Sequence, residues 1–456
     1  MLNVMKVVVI DDDPTGSQTV HGCLLLLHWD VSTLRYGLRH SSPLLFILAG
    51  TRAMSAESAA ARNQEICYRL DFALSAESWS RHNVLLVSRS DSTLRGHGVL
   101  EPTVLAACFG PFDATLHVPA FLEGGRTTVG GVHRLYGKPV HMSPFAQDQL
   151  FRYSTSNLAD WLEERSNGTI SAAKVDHLSL KELDAAAAGN GGMVALTDHL
   201  RRLTGNQIVV VDAERQQQLI ALSNAVQSLN GERRFLFRAA ASLVKALANL
   251  EDQPMNAQTL ARLRRRNSCG EALPGLVLVG SYLPLADQQL KKLLAVARCK
   301  GIELSAQQIA RVVLKGPAPD LLMASLERYW CNQIDEALED GCTPVLFTSR
   351  GELSFTTKQA RRYFSNELAQ LTGRLAGLVA PRLGYLISKG GTTTQALLAN
   401  GLGLALVQLE GQLLPGLSLV RSLDKGNLQN LPILTFPGNL GDENTLLESW
   451  LQMEVG

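Results

Sequence analysis

Apolar residues in this chain gather into short unbroken runs. Each run closes in a polar or glycine-rich stretch, and a longer segment of helical pattern follows. In the first half the runs are Lys6–Ile10, Leu44–Ala49, Asn83–Val87, Thr115–Ala120, Gln207–Asp212 and Arg234–Phe237. A run without polar alternation predicts a strand buried on both faces, as in a parallel sheet. Helices are expected from Ser17 to about His28, over Ala56–Leu74, Leu100–Phe109 and Thr155–Glu164, then over about Glu214–Leu229 and Ala239–Leu250. The second half starts afresh, with strands expected at Gly275–Ser281, Pro344–Ser349, Gly384–Ser388 and in the segment opening at Pro432. Helices are expected there over about Leu285–Cys299, Asp320–Leu338 and Lys358–Ala376. Strands alternating with helices predict an α/β fold of two domains, each a mainly parallel sheet flanked by helices. Residues 251–273 hold Pro254, Asn256, the run Arg264-Arg265-Arg266 and Gly270. They read as a solvated linker between 1–250 and 274–456.

Composition narrows the class. A chain of 456 residues exceeds what one core holds, which supports two domains, and 46% hydrophobic content is ample for both. Charge is balanced at 43 Lys+Arg against 42 Asp+Glu, so no basic excess points to nucleic acid or a membrane surface. The longest apolar runs are far too short to span a bilayer. Met1–Lys6 leads straight into a strand without the features of a signal peptide. Seven scattered cysteines without a Cys-x-x-Cys pair read as reduced thiols in a cytoplasmic protein. All ten histidines lie within the first 199 residues and show no metal-ligand spacing.

Candidate chemistry collects at strand ends, where open α/β sheets present ligand groups. Strand Asn83–Val87 opens into Ser88-Arg89-Ser90-Asp91-Ser92-Thr93-Leu94-Arg95-Gly96-His97. This stretch offers a carboxylate, two guanidinium groups and several hydroxyls. The set suits a small polyhydroxy acid, because Arg pairs with a carboxylate while Asp, Ser and Thr read hydroxyls. A capped turn with a solvated Arg95 is the plainer alternative. Asp11-Asp12-Asp13-Pro14-Thr15-Gly16 follows the first strand, and three neighbouring carboxylates need a cation or donors if they are enclosed. Arg52 also stands just beyond a strand, and Gly124-Gly125-Arg126-Thr127-Thr128 suggests a backbone that approaches an anion closely. In the second half, Gly280-Ser281 and Lys389-Gly390-Gly391-Thr392-Thr393-Thr394 join strands to helices. The latter is a plausible phosphate cradle, with Gly admitting backbone N–H groups and Thr adding hydroxyls. Neither a Walker A loop nor a Rossmann fingerprint occurs, which argues against a nicotinamide-dependent oxidoreductase.

Taken in order, these residues resemble the four-carbon acid sugar kinase family, formerly a family of unknown function. Asp12-Asp13-Pro14-Thr15-Gly16 resembles its Asp-Asp-x-Thr-Gly, and Asp91-Ser92-Thr93-Leu94-Arg95-Gly96 matches its Asp-Ser-Thr-Leu-Arg-Gly. Pro119-Ala120-Phe121 through Gly125-Arg126-Thr127-Thr128, then Gly280-Ser281, Gly390-Gly391-Thr392-Thr393 and Gly438-Asn439-Leu440-Gly441, complete the series. The resemblance implies an acid-sugar-binding domain, a nucleotide-binding domain and a ligand cleft between them. It implies phosphorylation of threonate, erythronate or an oxo-tetronate with ATP and Mg²⁺. Substrate-binding residues would be Asp12, Asp13, Arg52, Asp91, Ser92, Thr93, Arg95, Gly125 and Arg126, with Asp12 or Asp91 as the catalytic base. ATP would meet Ser281, Gly390, Gly391, Thr392, Thr393, Gly438 and Asn439. The expected partners are therefore an acid sugar and a nucleotide, and a homodimer is left open.

Two departures from the family pattern stand out. Phe436-Pro437 occupies the place of a Lys that the family carries before its last motif, which puts one phosphate contact in doubt. His97 replaces the more usual Asn, which raises a branched or oxo acid sugar as an alternative substrate. A non-catalytic binding protein on the same scaffold is the rival from another class.

Overall fold

Strand β1 (Lys6–Asp11) is buried along its whole length, as its Val-Val-Val-Ile run demands of a strand covered on both faces. The computed structural model describes residues 5–189, 191–315, 319–349, 353–355 and 357–455. They divide into two units, Met1–Asp252 and Gln253–Gly456. In the first unit β1 pairs in parallel with β3 (Leu44–Leu48) on one side and β4 (Val84–Arg89) on the other. Beyond β3 lies β2 (Cys23–Leu26). Beyond β4 follow β11 (Phe235–Ala239), β5 (Ala114–Val118), β10 (Gln207–Val211) and β9 (Asp176–Leu178), all parallel. A small antiparallel sheet, β6 (Arg126–Val129), β7 (Val132–Leu135) and β8 (Lys138–Pro139), stands apart. The register sets Asp11 opposite both Leu48 and Arg89, so three strands end side by side and release their loops at one edge.

The strand order reverses at β1, whose chain successors β3 and β4 flank it on opposite sides. Such a switch point leaves a crevice at the carboxyl ends of the strands. At the other end of β1, the buried Lys6 ammonium donates to the carbonyls of Gly37, Leu38 and His40 at 3.2, 2.8 and 2.7 Å. It thereby satisfies the open carbonyl end of helix Val31–Arg39.

The expected helix from Ser17 to His28 is absent. Cys23-Leu24-Leu25-Leu26-Leu27 is buried on all sides, and Gly22 turns the chain at φ +66° just before it. A continuous apolar run of that length fits a doubly covered strand better than one face of a helix. The helix comes later, at Val31–Arg39, capped by Asp30 accepting from the Thr33 N–H.

In the second unit β12 (Gly275–Val279) lies between β14 (Thr343–Thr348) and β15 (Tyr385–Lys389). Beyond β14 is β13 (Cys299–Leu304), and beyond β15 is β18 (Pro432–Phe436), all parallel. β17 (Leu417–Ser422) and β16 (Leu406–Leu414) extend this sheet in antiparallel fashion. β13 replaces the end of a helix expected to reach Cys299; the helix stops at Leu294. The segment read as a solvated linker folds onto the second unit instead. Residues Ala257–Ala261 are helical. Arg264 donates to the carbonyls of Leu273, Met453 and Glu454, lies over the Tyr385 ring at 5.2 Å and pairs with Glu454 at 3.3 Å. An Arg that donates to carbonyls of two separate segments and stacks on an aromatic is structural, not solvated. Among the described residues no helix is long and apolar enough to cross a membrane.

Candidate functional site

At the β1 edge, acidic side chains meet guanidinium groups in a buried cluster. Arg52 donates Nη2 and Nε to the two oxygens of Asp12 at 2.8 and 3.0 Å, and Nη1 to Asp13 Oδ2 at 2.8 Å. Asp13 Oδ1 accepts from both the backbone and the hydroxyl of Thr15, at 2.8 and 2.5 Å. Burial alone would raise the Asp13 carboxyl, but Arg52 and the Thr15 donors outweigh it and hold the group below its ordinary value. Arg89, 3% exposed, reaches Asp12 and Asp11 at 3.6 and 3.7 Å and donates to Gln18 at 3.2 Å. Asp11 lies deepest. Its Oδ2 has no partner among the described residues, and burial pushes its carboxyl up to about 7 despite the opposing charge of Arg89.

The β4 loop adds the second half of the cluster. Asp91 Oδ2 accepts from Arg95 Nε at 2.8 Å and from the Thr93 hydroxyl. Burial would raise Asp91, yet the charges of Arg95 and Arg52 more than offset it and keep the carboxylate well below the usual range. The loop's carbonyls are tied down from outside it. His133 Nε2 bonds to Ser92 O at 2.8 Å, and Tyr153 donates to Thr93 O at 2.7 Å. Arg95 is further fixed over the Phe145 ring at 5.0 Å. Its place in a half-buried ion pair with Asp91 is not that of a solvated Arg at a plain capped turn. His97 bonds to Met54 O at 3.1 Å and meets the Phe151 ring edge-on, so its role here is to anchor the loop.

Arg126 is buried, follows the left-handed turn at Gly125, donates to Gly124 O and lies over Phe121 at 5.6 Å. Its Nε has no partner among the described residues, and Asp91 and Arg95 are close enough to act on its charge. The structure thus gathers Asp12, Asp13, Arg52, Asp91, Thr93 and Arg95 into one network, with Arg126 beside it. A small pocket borders Asp91 and Arg95. Asp11 and Arg89, read in the sequence only as one of three neighbouring carboxylates and one of two guanidinium groups, lie inside the cluster, and Arg238 joins it without any role in that reading. Arg238 donates Nη1 to Ser88 Oγ at 2.7 Å and to Glu101 at 2.6 Å, and Glu101 in turn accepts from Thr51. Arg89 and Arg238 sit within or at the end of strands. A charge in a run otherwise read as buried was the available signal.

In the second unit the ends of β12, β15 and β18 close on one another. Gly280 donates its N–H to Lys389 O at 3.1 Å, and Gly390 donates to Phe436 O at 2.8 Å. A methyl on Gly280 would run into Thr393 Oγ1, and one on Gly438 would lie 2.7 Å from Ser281 Oγ. Gly390 holds φ +115°, open to glycine alone. Ser281, Gly390, Gly391, Thr393 and Gly438 therefore share one crevice at the second switch point, where β12 is flanked by β14 and β15. Thr392 is exposed at its edge and Asn439 half-buried.

A buried cation stands on the strand beside β18. Lys389 is paired in register with Phe436 and fully buried. Its ammonium lies 3.8 Å from the Phe436 ring centre and donates to Pro437 O at 3.1 Å. Among the described residues no carboxylate pairs with it, and burial pushes the amine down to about 7. The sequence showed Lys389 beside the two glycines, but only the strand pairing shows what it faces.

Residues 7–247 match a family described as the sugar-binding N-terminal domain, and residues 276–446 one described as the nucleotide-binding C-terminal domain. Together with the two strand-end sites, these matches define a protein with a sugar-binding half and a nucleotide-binding half. The chain belongs to the four-carbon acid sugar kinase family. It is similar to a D-threonate kinase of Cupriavidus necator, at 26% identity over 88% of this chain and 86% of the relative. It is also similar to a D-erythronate kinase of Heliobacterium modesticaldum, at 24% identity over 96% of this chain and 95% of the relative. A solved structure from Salmonella typhimurium LT2 shares the fold with TM-score 0.65 at 16% identity, covering 97% of this chain and 98% of that one. Haemophilus influenzae protein HI1011 shares it with TM-score 0.57 at 17% identity, covering 98% and 100%.

Proposed function

We propose that the protein transfers the γ-phosphoryl group of ATP to a hydroxyl of a small acid sugar of the threonate, erythronate or oxo-tetronate class. One observation carries this reading. Each unit has a switch-point crevice, and their chemistries are complementary: carboxylates with guanidinium groups in the first, glycines with Thr hydroxyls and a buried Lys in the second. The first set recognises hydroxyls and a carboxylate, the second a phosphate chain.

Asp91 is the better placed of the two candidate bases. Arg52 occupies both oxygens of Asp12, whereas Asp91 borders the pocket and engages its described partners through Oδ2. A strongly ionised carboxylate suits a phosphoryl transfer in which positioning and charge stabilisation dominate, since the base takes the hydroxyl proton late. Arg95 and Arg126 lie where they can meet a substrate carboxylate or the transferring group.

Among the described residues no group of three His, Cys, Asp or Glu is arranged to hold a metal. Mg²⁺ arriving with the nucleotide would neutralise phosphate charge at the glycine crevice. The free cysteines suit a reducing, cytoplasmic setting.

The test is ADP release with ATP and Mg²⁺ over D- and L-threonate, D-erythronate, their oxo forms and branched analogues. Turnover of at least one acid is expected, with Asp91→Asn slower by about 10²–10⁴-fold. No turnover across the panel in folded protein would refute the kinase reading. A larger loss in Asp12→Asn than in Asp91→Asn would move the base to Asp12.

A further inference from the structure

The hairpin that follows Arg126 turns on a residue ill suited to its turn. Strands β7 and β8 pair Leu135 with Lys138, so Tyr136 and Gly137 make up the whole of a two-residue turn. Both hold positive φ, +48° at Tyr136 and +78° at Gly137. Turns of this kind favour Asn or Gly at both places, because the left-handed backbone crowds Cβ against the carbonyl oxygen and a bulky side chain gains nothing local in return. Burial does not offset the strain either, since Tyr136 is 73% exposed. Strained residues that the core does not need gather at ligand sites.

The turn folds back onto the candidate site. Tyr136 donates its N–H to Gly125 O at 2.7 Å, and the neighbouring Leu135 is in register with Arg126. The Tyr136 ring lies over Gly125 so closely that a methyl group there would run into it. Gly125 therefore serves twice, by its φ of +70° and by leaving room for the ring. Arg126 comes next in the chain. It is 3% exposed, its Nε has no partner among the described residues, and Tyr136 is close enough to act on its charge, as Asp91 and Arg95 are. An exposed phenol thus stands beside a buried guanidinium with a donor to spare. A second cation in that place would repel Arg126, whereas a phenol adds a neutral O–H donor for the same carboxylate, and its ring face can cover the carbon atoms of a small acid.

We propose that Tyr136 is a specificity-determining residue of the acid-sugar site, covering the substrate at Gly125 and donating its hydroxyl to the carboxylate that Arg126 holds. This rests on the acid-sugar reading above. The test sets affinity against stability. Tyr136→Asn removes the ring and relieves the turn, so the thermal midpoint should hold or rise. KM for an accepted acid should rise about ten-fold or more, while KM for ATP stays within about two-fold. Tyr136→Phe keeps the ring and loses the hydroxyl. It should weaken the acid about ten-fold and change the inhibition constant of that acid's neutral amide by less than about three-fold, because the hydrogen bond to a charged acceptor is the stronger one. An acid KM unchanged in Tyr136→Asn, or one that rises together with a lowered midpoint and an equal loss for ATP, would overturn the proposal; the second result would make the ring a structural prop. Equal effects of Tyr136→Phe on acid and amide would overturn the carboxylate contact. Turnover that is indifferent to Tyr136 sinks this inference alone, whereas failure of every acid to bind or turn over in the unmodified protein sinks the kinase reading with it.

Discussion

Replacing Lys389 by Met isolates the cost of one buried charge. The amine is fully buried, and its described contacts are one carbonyl and the face of Phe436. In the unfolded chain it titrates near 10.5, and in the fold near about 7. Between those values the unfolded chain holds a proton that the folded chain has released, so stability rises with pH across that window. Below about pH 7 both states carry the proton, and the penalty is complete and constant. The interval from 10.5 down to about 7 corresponds to about 5 kcal/mol at about 1.4 kcal/mol per pH unit. The contact with Phe436 offsets roughly 1–2 kcal/mol of it, leaving about 3 kcal/mol. Methionine has nearly the same length and no charge. Lys389→Met should therefore be about 3 kcal/mol more stable at pH 6.5, with the gain fading towards pH 10. Urea unfolding of both proteins at pH 6.5, 8 and 9.5 measures the difference, in which every other titrating group cancels. Parallel pH curves would show that the amine keeps its proton in the fold and would refute the reasoning.

The same substitution should weaken ATP binding, because a phosphate chain reaching the crevice would favour the charged amine; isothermal titration in buffers of different ionisation enthalpy should detect proton uptake in the unmodified protein and none in Lys389→Met. Asp11→Asn tests the deepest acid. Its carboxyl keeps a proton between about pH 4 and 7 that the unfolded chain has lost, so the stability it contributes is present at low pH and falls as pH rises to about 7. The unmodified protein should therefore lose stability relative to Asp11→Asn as pH rises over that range, and a flat difference in urea unfolding would exclude a raised Asp11. Arg52→Met leaves Asp12 and Asp13 buried without their main cation and should cost about 3–5 kcal/mol at pH 7, with Arg52→Lys recovering only part, since one ammonium cannot fill the forked geometry. Gly280→Ala should weaken ATP binding at least about ten-fold through its clash with Thr393, while acid-sugar affinity changes by less than about two-fold; equal loss of both by calorimetry would contradict a nucleotide role confined to these loops.

How much of this was legible depended on whether the signal was local. Strands such as Val84–Arg89 and Gln207–Val211 declare themselves through unbroken apolar runs, and the Asp91 loop through the polar residues that interrupt the pattern at a strand end. The expected helix at Ser17–His28 failed because Cys23–Leu27 is both short and uniformly apolar, and periodicity cannot separate a buried strand from a buried helix over that length. β13 shows the opposite case: Gly301-Ile302-Glu303-Leu304 alternates open with buried positions, but the helix before it hid the change of period. Pairings across the sheet were out of reach altogether. Lys389 facing Phe436, Arg238 tied to Glu101, and Trp161 against Gly98 join residues 47, 137 and 63 positions apart, and no spacing rule links them.

The two units place their chemistry by the same topological device. The first four main strands of each run in the order second, third, first, fourth: β2-β3-β1-β4 in one, β13-β14-β12-β15 in the other. In both, the first and fourth strands therefore release their loops into a shared crevice, β1 with β4 and β12 with β15. What differs is how each crevice tolerates a ligand. Arg52 already occupies both oxygens of Asp12 and Arg95 one oxygen of Asp91, so under the proposed function a hydroxylated acid would exchange existing hydrogen bonds for new ones, which favours discrimination by geometry. The glycine crevice around Lys389 holds a cation with no carboxylate among the described residues, so an incoming phosphate chain relieves a charge that the fold alone leaves uncompensated. On the proposed function, selectivity would be concentrated in the first unit and binding drive in the second, a division suited to accepting one common phosphoryl donor and choosing among many similar acids.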